Sequence, residues 1–550
     1  MLSFVREHRL ALLLIAAYAL MAHMLLLLND LPYWDGWYYF FYVENNEAEA
    51  VLREWRDNGR ILLGQMYWHL GRLLGTLTGF RALMVGCIAI ASMLLYALLL
   101  RHARLTRTEC LAAALLNCSF PATQVNLVST AFPYTLAMPF FLGGTLLLME
   151  SAGCSGRRKL LLRIAANACL LASYISEAYV LAGLPLPLLV WAKAPQGGLR
   201  GILRTYRKHA DILLGSLSYL YVMMFLMPVS GHYAHSRNLS LNPASLTSYY
   251  LAYIGTTLDI ANMFSPLPTK LHRDVNLLLA IAIVVIGLLL RKKFADKQGK
   301  HYATVALLSF LLLSAIATPF VTAQRATATM GWDIRHVAPA GFAAAIIVVC
   351  AVGYFLRAPG GSRRVLYAMA ALSGLAISKD YVMWQTRGAY DHGVIEHLRV
   401  DHPIMKQPVI FFVGWNNFFF REVYRHYEWE RMMEGATGTR GRRVIMAQPP
   451  LTQAIWDEKI QQDLWPGESL KVSPQSCQMI FQPIATPENI RWGAGLEYLW
   501  KKYTLTPEML ANWAKSRVTI QMNVVANCDA VINPEPLRTP DEQHRKKLSR

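Results

Sequence analysis

The chain begins MLSFVREHRLALLLIAAYALMAHMLLLLND (residues 1–30), and the reading of this stretch decides the fold. A basic start, Arg6 and Arg9, leads into an apolar run from Leu10 to Leu28. At 1.5 Å per residue such a run is long enough to cross about 30 Å of hydrocarbon as a helix. No small-residue cleavage site precedes Asn29, so the segment is expected to remain as a first membrane span.

The same pattern recurs outward from it. The chain is 54% apolar and 16% charged, and its apolar runs are bounded by basic clusters, the composition of a polytopic helical membrane protein. Spans are expected near 10–28, 82–100, 109–120, 133–149, 160–175, 178–192, 211–229, 275–290, 303–318, 337–356 and 365–378. Segment 109–120 is short enough to be a broken or re-entrant helix. The formal charge of +19 sits in six groups, around Arg6, Arg101, Arg157, Arg200, Arg291 and Arg363. Each group falls two spans from the next, as the positive-inside rule requires with the N-terminus cytoplasmic. The surplus charge therefore reports orientation and contact with anionic membrane lipids, and a nucleic-acid partner is disfavoured.

With eleven spans the C-terminus lies outside. The external parts are then 29–80, 230–274, 319–336 and everything from 379 on. The last segment loses the apolar runs and carries 22 Lys and Arg against 19 Asp and Glu from Lys379 to Arg550. Strand-like PVIFFVGW (408–415), RVIMAQ (443–448), QMIFQPI (478–484) and RVTIQMNVV (517–525) alternate with helical candidates such as 416–434. The expected organisation is a mainly α membrane domain over 1–378, an extracytoplasmic α/β domain over 379–535 and a disordered tail over 536–550. Six cysteines lie in or beside spans as small apolar residues; Cys477 and Cys528 share the outside domain, where an oxidising compartment allows a disulfide. There is no Walker loop, Rossmann fingerprint, nucleophile elbow or zinc spacing.

Candidate functional residues lie in the external segments. LPYWDGWYYFFYVENNEAEAVLREWRDNGR (31–60) places Asp35 among Trp34, Trp37, Tyr38 and Tyr39. Interfacial anchoring accounts for the aromatics, and Asp-Gly is a common turn pair. In ILLGQMYWHLGRLLG (61–75), Gln65, His69 and Arg72 form a polar stripe on an apolar helix expected to lie in the interface. Glu177, between two expected spans, either binds substrate, orients Asp35 or caps the following helix. TAQRATATMGWDIRHVAPAGF (322–342) puts Arg325, Arg335 and His336 outside, against the inward trend of basic charge. Arg335 suits phosphate oxygens, or pairs with Asp333 or a lipid headgroup.

An acid just after the first span, a long first external loop, many spans and an outside C-terminal domain resemble the GT-C superfamily of membrane glycosyltransferases. Asp35 followed by Gly59-Arg60 is similar to the phage-type O-antigen glucosyltransferases of bacterial inner membranes. RH..P at 335–339 resembles the Arg-aromatic-x-x-Pro segment of many GT-C enzymes, with His336 in place of Tyr. A single acid stands in WDGW where members often carry two. The resemblance implies a polyprenyl-phosphate-linked sugar donor, a glycolipid or polysaccharide acceptor and an inverting transfer. Asp35 would be the base with Glu177 assisting. Arg335, His336, Arg325 and Arg60 would face the donor phosphate, and Trp34, Trp37, His69 and Arg72 would contact the acceptor. No cofactor is required, and no ligand spacing indicates a divalent metal. A transporter or flippase for lipid-linked saccharide would instead place charge near span centres. A polymerase or ligase is expected to carry paired arginines in a large central loop, where 230–274 has Arg237 and Arg273.

Overall fold

The computed structural model describes residues 2–193, 195, 197–227, 229, 239, 242–259, 263–264, 297–325, 327, 332–356, 359–399, 410–413, 418–419, 422–438, 443–445, 477–485 and 493–526. The expected span 275–290, most of the loop 230–274, Cys528 and the tail lie outside them. The protein is mainly helical, with a small C-terminal sheet. Its contacts divide it into two compact units, Met1–Pro32 with Tyr42–Tyr381, and Tyr33–Phe41 with Val382–Arg550.

Among the described residues of the first unit, five helical segments are long and apolar enough to cross a membrane: Ser3–Leu27, Thr78–His102, Ser129–Ser151, His301–Thr322 and Asp333–Phe355. They contain the expected spans 10–28, 82–100, 133–149, 303–318 and 337–356. Their buried faces meet in one apolar core that includes Ile15, Leu95, Leu115, Phe141, Leu313 and Val349. The outward faces keep large apolar side chains exposed, among them Leu10, Leu13, Ile90 and Leu307. Water would not stabilise such a surface, whereas hydrocarbon does.

The remaining segments take other forms. Arg107–Cys118 starts at a Thr106/Glu109 capping box and runs for only 12 residues before Pro121 and two buried 3-10 turns, Pro121–Leu127 and Ser129–Ala131. Irregular backbone buried this way must find internal partners, and side chains supply some: Thr123 Oγ1 donates to Phe120 O at 2.6 Å, and Thr135 to Asn126 Oδ1 at 2.6 Å. Segment 178–192 is no single helix but 3-10 turns Glu177–Tyr179 and Leu181–Gly183 followed by Leu186–Lys193. Pro185 and Pro187 withhold the amide donors a continuous helix would use. Gly198–Lys208 buries no side chain and meets Ala210–Leu226 at 61°. Segment 365–378 lies within one helix, Pro359–Leu398, whose last part belongs to the second unit.

The second unit carries a four-stranded sheet of β1 (Ile410–Val413), β4 (Arg443–Ile445), β5 (Gln478–Ala485) and β6 (Val518–Ala526), in the order β4-β1-β5-β6. A two-stranded hairpin, β2 (Phe418–Phe419) and β3 (Glu422–Val423), interrupts the chain between β1 and β4. β1 is parallel to both neighbours, with Phe411 opposite Val444 and Met479, and β6 runs antiparallel to β5. Side chains of β5 alternate, burying Met479 and Phe481. Helix His426–Thr437 covers that face through Trp429, which meets Phe481 edge-on at 5.6 Å.

Candidate functional site

Two clusters carry the residues singled out above, one in each unit. The first is built on RDNGR (56–60). Gly59 has φ +67°, which a residue with a Cβ rarely adopts, and it ends helix Ala48–Asp57. Its N–H donates to Arg56 O, and the Arg60 N–H donates to Trp55 O, both at 2.8 Å, the paired bonds of a Schellman cap. The reversal positions Arg60 ahead of helix Ile61–Leu74, where its Nη2 meets Glu177 Oε1 at 2.6 Å. Burial works against the Arg60 charge, but Glu177 more than restores it, so the guanidinium is held above its ordinary range.

Tyr134 links this pair to the segment around Arg335. Its side chain hydrogen-bonds Arg335 and lies within electrostatic reach of Glu177 and Arg60. Arg335 belongs to the 3-10 turn Trp332–His336 and also donates to Asp333 at 3.1 Å. Two guanidiniums, two carboxylates and one phenol thus converge from four separated stretches of the chain. Guanidiniums are forked donors whose geometry suits the tetrahedral oxygens of a phosphate.

His336, by contrast, is buried, tilted against Phe320 at 4.9 Å, and its carbonyl accepts from Tyr253 at 2.9 Å. Arg325 is half-buried. Gln65, His69 and Arg72 lie exposed along Ile61–Leu74, while Leu63, Tyr67 and Gly71 are buried. Arg72 bonds Asn46 and sits over the Trp68 ring.

In the second unit Asp35 is the first residue of helix Asp35–Glu44 and half-buried; its Oδ1 accepts from the Tyr427 hydroxyl at 2.6 Å. Burial, then the Asp35 charge, push the Tyr427 phenol well up, so it stays a donor. The preceding residue fixes the approach. Trp34 has φ +46°, and its N–H donates to Glu428 Oε1 at 2.9 Å. The same oxygen accepts from Arg387 Nη2 at 2.5 Å. Arg387 is 1% exposed and lies against Tyr33, Trp34, Trp384 and Tyr424, with Asp391 at 3.6 Å. Trp37 is buried as well. Cys477 is buried and disulfide-bonded.

Four participants were not foreseen. Tyr134 and Tyr427 each reach their partners across sequence separations that leave no local trace. Arg387 stands in an unremarkable helical repeat. Arg81, 1% exposed, donates to the carbonyls of Asn29, Leu31 and Leu127, joining three stretches of the first unit. An Arg three residues past the start of an apolar helix is the signal that could have found it.

Among the described residues no three His, Cys, Asp or Glu side chains gather as a metal site. No family model matches the chain, and a comparison with curated proteins finds no match.

Proposed function

We propose that the protein is a polytopic membrane glycosyltransferase of GT-C type, moving a sugar from a polyprenyl-phosphate donor to a glycolipid or polysaccharide acceptor on the extracytoplasmic face of a bacterial inner membrane. The convergence of Arg60, Arg335, Tyr134 and Glu177 carries this reading. Breaking the bond between the anomeric carbon and phosphate leaves negative charge on the lipid phosphate, and fixed guanidinium donors stabilise that charge as it develops. Glu177 holds Arg60 in place. Asp35 is the base that takes the acceptor hydroxyl proton, and a single attack of that oxygen on the anomeric carbon, with the lipid phosphate leaving, inverts the centre. The Tyr427 hydrogen bond fixes the Asp35 carboxylate for that role. The recurrence of basic clusters along the sequence supports the orientation this reaction needs.

The test uses purified full-length protein with radiolabelled polyprenyl-phosphate sugars and candidate glycolipids. Wild type should form a new glycosidic product and Asp35→Asn none, with membrane insertion unchanged. Movement of the labelled donor across vesicles without product would replace transfer by transport.

A further inference from the structure

We propose that the first unit holds one anionic phospholipid, its acyl chain in a cleft between helices and its phosphate at a cationic mouth, separate from the transfer chemistry. The cleft encloses about 800 Å³, part of it open to the surroundings, between Thr78–His102, Phe132–Ser151, Leu186–Lys193, Lys297–Thr322 and Gly341–Phe355. Its wall is apolar along Leu98, Phe141, Leu189, Leu308 and Phe342. The basic side chains lie at one end: His102 and Lys193 close their helices, and His301 lies in the second turn of its own.

Two observations select the occupant. From His301 to Leu312 the lining spans eleven residues of helix, roughly 16 Å at 1.5 Å each. One leaflet contributes about 15 Å of hydrocarbon, so a single acyl chain fits the depth. The mouth carries unmatched positive charge. Arg101 and Glu150 pair at 2.7 Å and offset one another, while Lys193 is exposed without an ion pair among the described residues. His102, half-buried, lines the same end with its Nε2 3.5 Å from Glu150 Oε1. An apolar shaft of leaflet depth under a lone ammonium fits a lipid phosphate better than a neutral or zwitterionic headgroup. By the positive-inside pattern this lipid belongs to the cytoplasmic leaflet, opposite to where the sugar donor would react.

Native mass spectrometry of the full chain, stripped of lipid and titrated with phosphatidylglycerol or with phosphatidylcholine of the same acyl chains, tests this. One phosphatidylglycerol should be retained at least tenfold more strongly than phosphatidylcholine. Lys193→Glu should remove that preference, and Leu308→Trp, which fills the shaft, should lower retention of both lipids. Leu98→Trp serves if Leu308→Trp fails to fold, as judged by thermal melting. Equal retention of the two lipids by wild type, or retention unaffected by the filling variants, would overturn the proposal.

Discussion

Arg387 is buried among four aromatic rings and two carboxylates, so its charge has partners but no water. Arg387→Met leaves Glu428 and Asp391 uncompensated and should cost about 3–5 kcal/mol. Protection of the β5 and β6 amides from hydrogen exchange would report that loss. Burial pushes the Asp391 carboxyl up to about 7. The unfolded chain releases this proton near pH 4, so between pH 4 and about 7 the folded state holds more protons. Stability therefore falls as pH rises through that window and levels off above it. Asp391→Asn should abolish the slope; urea midpoints of the two proteins running parallel from pH 4 to 7 would show that Asp391 is ionised throughout. At this scale the sequence was only partly legible. Asp35 stood out because a lone acid among aromatics is conspicuous. What holds it did not, because Tyr427 and Glu428 lie almost four hundred residues away in the chain.

The Schellman cap at Gly59 shows how an element positions a side chain. Gly59→Ala would force an L-residue into left-handed backbone at about 1–2 kcal/mol, and the reversal would shift Arg60 away from Glu177. Transfer should then fall as it does in Arg60→Ala, while Arg53→Ala, on the exposed face of the same helix, should leave it unchanged; product formation by the three variants decides this. Spans written as long unbroken apolar runs were readable as helices. Segment 178–192 was not, because its hydropathy resembles a span while Pro185 and Pro187 set its backbone. The 3-10 turns over 121–131 likewise follow from proline and tertiary burial and not from apolar periodicity.

For the molecule as a whole, the placement of basic charge predicts sidedness. A cysteine at exposed Asn45 should react with a membrane-impermeant maleimide in intact cells, and native Cys154 only after permeabilisation. The opposite result would invert the topology and remove the extracytoplasmic reaction. The division into units was not legible in the sequence, since Tyr33–Phe41 leaves its sequence neighbours to join residues beyond Val382.

The Arg81 clamp bears on how the chain is made. Its guanidinium is shared among carbonyls on both sides of it in sequence, and the last of them, on Leu127, emerges from the ribosome some fifty residues later. Until then the nascent chain carries a cation at the head of an apolar helix with part of its coordination missing. Translation intermediates ending near residue 120 should thus be cleared by membrane proteases, and those extending past 135 spared. Biogenesis would acquire its first point of commitment at that step.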